Sequence, residues 1–474
     1  MSLWLSNTSL MRPAFPDWLE DICQRLSDND PSLSTIELFH QRLDDTAMKY
    51  FCKALAESCY VTILIVSLYN AVDDGSYALG QVIASNKSIR KLQFRDLQHS
   101  REAITLFEAV RQNKTIEELS LRHCRICSRS AASLGKLIEN HASIQEFRLV
   151  DTVLTEDTML PLAEGLRRIK CLERLSIINA EIGPKEIGVL GACISNHKKL
   201  KELYLSENNI GDEGVLELCR ELKQNSSLIV LDLRSNMIES HGAMALKTLI
   251  ESHDSLTHLY VGSNLLGCVG VSLLASGLLR NSRIRVLDLS DNGIEAMGAC
   301  VLAKTLSHNP RLEDLNLSFN NVGDQGVIAI SAVLEENRNL LRLGLRRNQI
   351  SNVGASILAQ HLPLMRGLRE LVLTKNSIDG EGAAMLLAGL RRNMELEYLH
   401  VMDTDLSQPV LQELAHWMAL NQAGRRIFRK TELDPGIWAH VLAKVNKEPK
   451  ILFHFLLEKP EFLQHNKKRK LPCQ

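Results

Sequence analysis

Apolar and polar positions repeat along most of this chain with a fixed period. From Leu200 the residues read Leu-x-x-Leu-x-Leu-x-x-Asn-x-Ile, and the frame recurs every 28 residues at Leu228, Leu256, Ile284, Leu312, Leu340 and Leu368. The asparagine of each frame falls on Asn208, Asn236, Asn264, Asn292, Asn320, Asn348 and Asn376. A glycine follows six residues later, at Gly214, Gly242, Gly270, Gly298, Gly326, Gly354 and Gly382. Self-similarity at a fixed period predicts a repeat architecture with one structural unit per repeat.

Each repeat is predicted to contain one strand and one helix. Leu203 and Leu205 point to the same side of a strand, and Tyr204 between them points to the other side. The asparagine amide both donates and accepts hydrogen bonds, so stacked asparagines are expected to satisfy backbone groups where the chain turns. The glycine is predicted to open a helix that packs closely on its neighbour. Leu218 and Leu222, four residues apart, give that helix an apolar face.

The frame continues in both directions with weaker matches. It passes upstream through Leu172, Ile144, Ile116, Ile89, Val61 and Leu33 and downstream to Leu396, which makes fourteen repeats over residues 33–423. The asparagine slots of the first six repeats hold Gln41, Tyr69, Leu97, Cys124, Thr152 and Ala180. Leucine and alanine side chains cannot replace amide hydrogen bonds. We therefore expect residues 33–190 to be less regular and less stable than residues 200–390, with faster amide exchange.

This frame resembles the leucine-rich repeats of the ribonuclease-inhibitor-like subtype, and the resemblance covers about four fifths of the chain. It implies an α/β leucine-rich-repeat solenoid (a horseshoe) with a parallel concave β-sheet, convex helices and about fourteen repeats of 28 residues. Strands stack about 4.8 Å apart, whereas neighbouring helices need about 10 Å. This mismatch predicts that the strands line the concave side and the helices the convex side.

The two ends of the chain are predicted to be caps that cover the terminal repeats. We expect an N-terminal helical cap over residues 1–32, the solenoid over 33–423, and a C-terminal helical cap with a basic tail over 424–474. All four tryptophans lie near the ends of the chain, at Trp4, Trp18, Trp417 and Trp438. Within the first cap, a helix is predicted from Asp17, as its N-cap, to about Leu26.

Composition and charge exclude several classes of protein. The chain has 55 Lys and Arg against 56 Asp and Glu, a net charge of −1, so a globally basic nucleic-acid binder is not expected. No apolar run reaches the roughly 18 residues of a transmembrane helix, and the first residues do not resemble a signal peptide. The 11 cysteines are an odd number and are expected to be reduced. We therefore expect a cytoplasmic or nuclear protein that does not bind membranes.

The sequence contains no motif typical of catalysis. It has no G-x-x-x-x-G-K-[ST] loop, no G-x-S-x-G and no H-E-x-x-H, so we expect no enzyme, no cofactor and no small-molecule substrate. Cys124-x-x-Cys127 lacks a second pair for a zinc site. Cys124 occupies an asparagine slot and is predicted to be a small buried filler, while His123 beside it is predicted to face outward.

The outward strand positions are the predicted partner-binding surface, because the fold does not fix their chemistry. The outward positions between about residues 202 and 320 are acidic and include aromatic side chains that could anchor a partner. The outward positions between about residues 340 and 375 are basic. The predicted contacts with a protein partner are Tyr204, Asp232, Tyr260, Asp288, Asp291, Asp314, Phe319, Arg342 and Arg346. Near the C-terminus, Lys467, Lys468, Arg469 and Lys470 resemble a nuclear import signal.

Three functions are compatible with these features. Members of the ribonuclease-inhibitor-like family generally bind a folded protein, so the first is a non-enzymatic interaction scaffold or regulator with a protein partner on the concave face. The second is a Ran-type GTPase-activating protein whose partner is a small GTPase, by resemblance of the repeats, although this chain ends basic where those activators carry an acidic tail. The third is a sensor-type repeat protein of an innate-immunity pathway, which would need a separate partner for signalling.

Overall fold

Strands and helices alternate along the chain in a computed structural model that describes residues 15–38, 43–70, 73–401, 408–423 and 425. The chain divides into two compact units, residues 1–208 (unit 1) and residues 209–474 (unit 2). Within each unit neighbouring strands pair in parallel and follow one another in chain order. The α/β leucine-rich-repeat architecture predicted from the 28-residue period is therefore confirmed.

Unit 1 contains seven strands and seven helices in its described part. The strands are β1 Thr35–Leu38, β2 Ile63–Ser67, β3 Lys91–Arg95, β4 Glu118–Arg122, β5 Glu146–Val150, β6 Arg174–Ile178 and β7 Glu202–Tyr204. The helices are α1 Asp17–Ser27, α2 Asp45–Glu57, α3 Asp73–Ser85, α4 Ser100–Gln112, α5 Ser128–Asn140, α6 Glu156–Arg168 and α7 Pro184–Ile194.

Unit 2 contains seven strands, eight α-helices and one 3-10 turn, Leu362–Leu364, over the residues described. The strands are β8 Val230–Asp232, β9 His258–Tyr260, β10 Val286–Asp288, β11 Asp314–Asn316, β12 Arg342–Gly344, β13 Glu370–Val372 and β14 Tyr398–His400. The helices are α8 Gly211–Leu222, α9 Ser240–Ser252, α10 Gly267–Leu278, α11 Ala296–Leu306, α12 Gly323–Leu334, α13 Asn352–His361, α14 Gly380–Arg392 and α15 Gln408–Gln422.

The predicted alternation of inward and outward strand residues is confirmed. In the repeat of β11, Leu315 and Leu317 have no exposed surface, whereas Asn316 between them is partly exposed. The inward leucines of successive strands stand directly beside one another, as Leu287, Leu315 and Leu343 do. They form a continuous apolar layer that is buried together with the apolar faces of the helices.

The repeated asparagines form a ladder at the ends of the strands, as predicted. The Oδ1 atom of Asn320 accepts hydrogen bonds from the backbone N–H groups of Asn292 (3.0 Å) and Ile294 (2.9 Å). Its Nδ2 atom donates to the carbonyls of Leu289 (3.0 Å) and Leu317 (2.9 Å). The same amide pattern recurs at Asn208, Asn264 and Asn376. Each asparagine thus binds the turn of the preceding repeat to its own turn.

Other groups replace the amides where unit 1 lacks an asparagine. The Thr152 hydroxyl accepts from the Cys124 backbone N–H (3.2 Å), and the Ala180 carbonyl accepts from the Leu154 N–H (2.9 Å). The strands β2 to β6 also have five residues each, against three in β7 to β14. The longer ladders supply additional backbone hydrogen bonds. The lower stability of residues 33–190 stays a prediction.

A second ladder, which the sequence analysis missed, lies three residues before the first apolar position of most repeats. The Asn309 side chain donates to the carbonyls of Leu278 (2.8 Å) and Asn281 (3.1 Å) and accepts from the Leu312 N–H (3.0 Å). Asparagines at the equivalent position include Asn113, Asn225, Asn281, Asn337, Asn393 and Asn421, and histidines replace them at His141, His197 and His253. The asparagines satisfy carbonyls at the ends of the helices, as Asn309 does, whereas Nδ1 of His253 accepts from the Leu256 N–H (3.2 Å).

The repeated glycines permit close packing between neighbouring helices. A Cβ atom at Gly326 would lie 2.5 Å from Cγ1 of Val322 and 2.9 Å from the Cβ atom of Ala299. Real Cβ atoms do not approach other atoms this closely. The prediction that the glycine allows tight helix packing is therefore confirmed.

The turns after the asparagines alternate between two conformations in most of unit 2. After Asn208, Asn264 and Asn320, a left-handed glycine (Gly211, Gly267 or Gly323) is the first residue of the helix. After Asn236, Asn292 and Asn348 the left-handed residue follows the asparagine directly, at Met237, Gly293 and Gln349. The chain thus has a structural period of two repeats that the 28-residue sequence frame does not show.

The N-cap of α1 lies one residue earlier than predicted. Pro16, not Asp17, occupies the N-cap of α1, and its extended backbone (φ −57°, ψ 140°) leaves Asp17 as the first helical residue. Asp17 favours the helix through its negative charge in the first turn rather than through a capping bond. The helices expected within 424–474, the basic run at 467–470, Trp4 and Trp438 lie outside the described residues.

Candidate functional site

The outward residues of β8 to β14 form one row across the sheet of unit 2. Strand register places them side by side in the order Asp232, Tyr260, Asp288, Asn316, Gly344, Val372 and His400. We call this side of the strands, which faces away from the helices, the sheet face. Its chemistry varies from strand to strand while the inward leucines remain constant.

A pocket of about 300 Å3 opens on the sheet face between β9 and β13. Four residues predicted to contact a partner line it together: Tyr260, Asp288, Asp314 and Arg342. The other lining residues are Val286, Leu287, Asn316, Ser318, Leu343, Gly344, Glu370 and Val372. Gly344 keeps the pocket open, because a Cβ atom there would lie 2.5 Å from Oδ1 of Asn316 and 3.1 Å from the Ser318 hydroxyl.

The carboxylates of the pocket are held by neighbouring groups. Asp314 pairs with the Arg342 guanidinium at 2.7 Å. Asp288 is only 8% exposed, and its Oδ1 accepts from the Ser290 N–H (3.0 Å) and from Nδ2 of Asn316 (2.9 Å). Glu370 lies 3.3 Å from the His400 ring. These contacts fix the positions of the acidic groups before any partner arrives.

Asp232 is more buried than the sequence indicated. It is 1% exposed and accepts two hydrogen bonds from Arg234, at 2.9 Å from Nε and 2.6 Å from Nη2. This pair holds the pKa of Arg234 above its usual range, first through the hydrogen bond from Asp232. Asp232 therefore presents the Arg234 guanidinium at the surface rather than its own carboxylate.

Tyr260 lines the pocket close to its carboxylates, and Arg234 lies next to its ring. The Arg234 guanidinium carbon is 5.5 Å from the centre of the ring, within the range of a cation–π interaction. Burial raises the pKa of Tyr260, the charge of Asp314 raises it further, and Arg234 opposes both effects. The phenol therefore stays protonated at neutral pH, as an apolar surface with a hydroxyl at its tip.

Phe319 and Asp291 lie on the turns that follow β11 and β10. Both have left-handed backbones, with φ 61° and 51°, a conformation that is costly for a phenylalanine. The Phe319 side chain is 42% exposed, and the guanidinium carbons of Arg346 and Arg347 each lie 5.4 Å from its ring centre. The sequence-predicted Arg346 is thus positioned by an aromatic ring.

Tyr204 belongs to unit 1 and is not among the residues that line the pocket. Its hydroxyl donates to Glu202 (2.9 Å), and Glu202 also pairs with Arg174 (3.2 Å). Arg174 continues a series of alternating charges across β3 to β7, which also includes Lys91, Glu118, Glu146 and Arg148. The charges within this series therefore neutralise one another.

Glu370 is the charged pocket residue that sequence reasoning missed. It occupies the first position of β13, directly beside Arg342 in β12, which in turn stands beside Asp314 in β11. The sequence analysis identified Asp314 and Arg342 as outward residues at this position of their strands. Applying the same reasoning to the next repeat would have identified Glu370.

The two cysteines of the Cys124-x-x-Cys127 motif lie in different surroundings. Cys124 is 6% exposed, and burial raises its pKa to about 12, so the prediction of a buried filler is confirmed. Cys127 is exposed at the N-cap of α5, where hydrogen bonds from Ser130 lower its pKa to about 7. His123 faces outward, 3.4 Å from Asp151. In the part of the chain that the structure describes, no group of three His, Cys, Asp or Glu residues is arranged to bind a metal ion.

Comparison with known proteins identifies the repeats. A family model described as "Leucine Rich repeat" matches residues 196–219, 224–247, 308–331, 336–359 and 366–387. Human NACHT, LRR and PYD domains-containing protein 5 is 26% identical over 223 residues, which cover 46% of this chain and 18% of that protein. Pig ribonuclease inhibitor is 27% identical over 204 residues, covering 42% of this chain and 44% of that protein. The chain thus spans less than half the length of these curated relatives.

Among solved structures, a chain of the yeast Rad7 and Elc1 complex is similar to this protein. The match covers 75% of this chain and 84% of the matched chain, at 14% identity and a TM-score of 0.47. Within the described ranges, no helix combines the length and apolar character that crossing a bilayer requires. The repeat frame, the strand–helix units and the sequence matches agree with one another. The chain is a leucine-rich-repeat protein of the ribonuclease-inhibitor-like type.

Proposed function

We propose that this chain is a non-enzymatic interaction module that binds a folded protein on the sheet face of unit 2. The observation that supports the proposal most strongly is the pocket into which Tyr260, Asp288, Asp314 and Arg342 converge. These residues serve no purpose in the leucine core or in the asparagine ladders. Aromatic and arginine side chains in a partly enclosed depression are typical of the residues that dominate binding energy at protein interfaces.

The charges of this face favour a partner with a mixed surface. Asp314 and Glu370 lie at the pocket, whereas Arg346 and Arg347 lie beside Phe319 on the following turns. A partner that presents a basic group to the pocket and an acidic group to the arginines would match both. Such complementary charges increase the association rate and select among partners more than they increase affinity.

Affinity capture with matched variants tests this proposal. The sheet-face variant Tyr260→Ala/Arg342→Glu removes a large side chain and inverts a charge without touching the buried Asp288. Its control, Met297→Ala/Lys304→Glu, makes the same kinds of change on the exposed face of α11. We expect a partner that the unchanged chain and the control capture and that the sheet-face variant loses. Loss of the partner from both variants, or from neither, would contradict the proposal.

A sensor role in innate immunity is a second candidate, because several of the matched relatives are NACHT, LRR and PYD domains-containing proteins. The segment that matches this chain makes up about a fifth or less of each of those proteins. A signalling protein with its own nucleotide-binding domain, captured through the sheet face, would support this candidate. A small GTPase captured in the same way would instead support the activator alternative.

We also propose a cytoplasmic location with nuclear entry through Lys467–Lys470. Replacing all four basic residues by alanine in a fluorescently labelled chain should abolish its nuclear fraction. An unchanged nuclear fraction would contradict this role of the tail.

A further inference from the structure

A large basic cleft lies in unit 1. The cleft has a volume of about 780 Å3 and lies where α6 and α7 end. Its lining contains five cationic residues and no acidic one: Arg167, Arg168, Lys170, Lys198 and Lys199, with Ile169, Ala192, Cys193, Asn196 and His197. Its volume falls within the range of about 300–1,000 Å3 that is usual for small-molecule sites.

Four of the five cations of this cleft form no salt bridge with a described residue, although Glu164 lies near Arg167 and Glu173 lies near Lys199. Arg168 is paired, with Glu139 at 2.6 Å and with Glu164 at 2.8 Å. Over the described residues, Arg167, Lys170, Lys198 and Lys199 form no ion pair with a carboxylate. The Arg167 guanidinium instead lies 3.7 Å from the Cys193 sulfur, which orients it along the wall of the cleft.

Cations near the helix ends recur in several repeats. Lys170 and Lys198 stand two residues before the first apolar residue of their repeats, and Lys87, Lys114, Arg338 and Arg366 occupy the same position elsewhere. After α8, α9, α10 and α11 this position holds Ser226, Asp254, Ser282 and Pro310 instead. A cation at this position interacts favourably with the negative helix end. In the cleft, Arg167, Arg168 and Lys199 add to the two lysines and bring the lining cations to five.

We propose that this cleft binds a small ligand that carries several phosphate groups. Lysine ammonium groups are compact charges that suit phosphate oxygens, and Arg167 adds a guanidinium that forms paired hydrogen bonds with them. Four cations without a salt bridge around one cleft suit a ligand with two or more phosphates. A single carboxylate would leave most of this charge uncompensated. The site is independent of the protein partner proposed for unit 2.

Titration calorimetry with sodium tripolyphosphate as the probe tests this inference on the full chain at low ionic strength. We expect saturable binding that Lys198→Ala/Lys199→Ala weakens by at least about tenfold, since two charges next to the phosphates are lost. The control Lys136→Ala/Lys185→Ala removes the same charge from exposed positions of α5 and α7 outside the cleft. We expect it to change the affinity by less than about twofold, because distant exposed charges are screened.

Lysine footprinting provides a readout that does not depend on a variant. Tripolyphosphate should slow acetylation of Lys170, Lys198 and Lys199 in the unchanged chain, but not that of Lys136 and Lys185. The absence of saturable binding, or an equal loss of affinity in both double variants, would overturn the proposal. Binding of a thymidine oligonucleotide without binding of tripolyphosphate would overturn it in favour of a nucleic-acid surface.

Discussion

Replacing Asn320 by alanine is the sharpest test of what holds the repeats together. This side chain is 3% exposed, and its Oδ1 atom satisfies the N–H groups of Asn292 and Ile294. Alanine would leave both N–H groups buried without a partner. Each such group costs about 1–3 kcal/mol, so we expect the free energy of unfolding to fall by about 2–6 kcal/mol.

The neighbouring asparagine supplies the control. Asn321 is exposed and accepts one surface hydrogen bond, from Nε2 of Gln349 at 2.6 Å. Asn321→Ala should change the free energy of unfolding by no more than about 0.5 kcal/mol. Urea unfolding followed by circular dichroism measures both changes, and amide exchange should accelerate at Asn292 and Ile294 only in the first variant. Equal costs for the two alanine variants would refute the role of the ladder.

Three further predictions concern a buried histidine, a glycine and the exposed phenylalanine. Burial lowers the pKa of His253, so below about pH 6.5 the unfolded chain binds a proton that the folded chain does not. Stability should fall there by up to about 1.4 kcal/mol per pH unit, and His253→Asn, which restores the residue used by neighbouring repeats, should reduce this slope in urea unfolding at pH 7.5 and 5.5. Gly326→Ala should lower the thermal midpoint because the new Cβ atom would lie 2.5 Å from Val322; an unchanged midpoint would argue against tight packing. Phe319→Asn relieves the left-handed strain of about 1–2 kcal/mol while it removes the arginine stacking, so partner affinity should fall by more than about tenfold with little loss of stability. An unchanged affinity would remove Phe319 from the proposed interface.

The sequence contained enough information to predict the fold because its signals repeat. Leucines, asparagines and glycines recur in register over seven repeats, so each repeat supports the interpretation of the next. The second ladder carried a similar signal, in Asn225, Asn281, Asn309 and Asn337, but histidine replaces asparagine at His253 and interrupts the pattern. The alternation of turns also left a signal that the 28-residue frame overlooks. Glycine stands three residues after the ladder asparagine only in every second repeat, at Gly211, Gly267 and Gly323, and these glycines are the left-handed residues.

The sequence predicted which charged and aromatic residues face outward at the candidate site, but it did not predict how they are arranged. Alternation along the strands identified Tyr260, Asp314 and Arg342 as outward residues, and they line one pocket. The pocket itself depends on Gly344, whose missing side chain has meaning only once Asn316 and Ser318 are placed around it. Asp232 and Asp288 looked equivalent in the sequence as outward residues, and both are buried. They differ because Asp232 pairs with Arg234, a contact that strand periodicity does not reveal.

Carboxyl footprinting of the chain in complex with its captured partner tests the central claim most directly. Asp314 and Glu370 line the pocket on the sheet face, whereas Asp212 and Glu213 lie in the first turn of α8. Partner binding on the sheet face predicts that carbodiimide labelling of Asp314 and Glu370 slows in the complex and that labelling of Asp212 and Glu213 does not. Protection of the α8 carboxylates with unchanged labelling at the pocket would contradict the account.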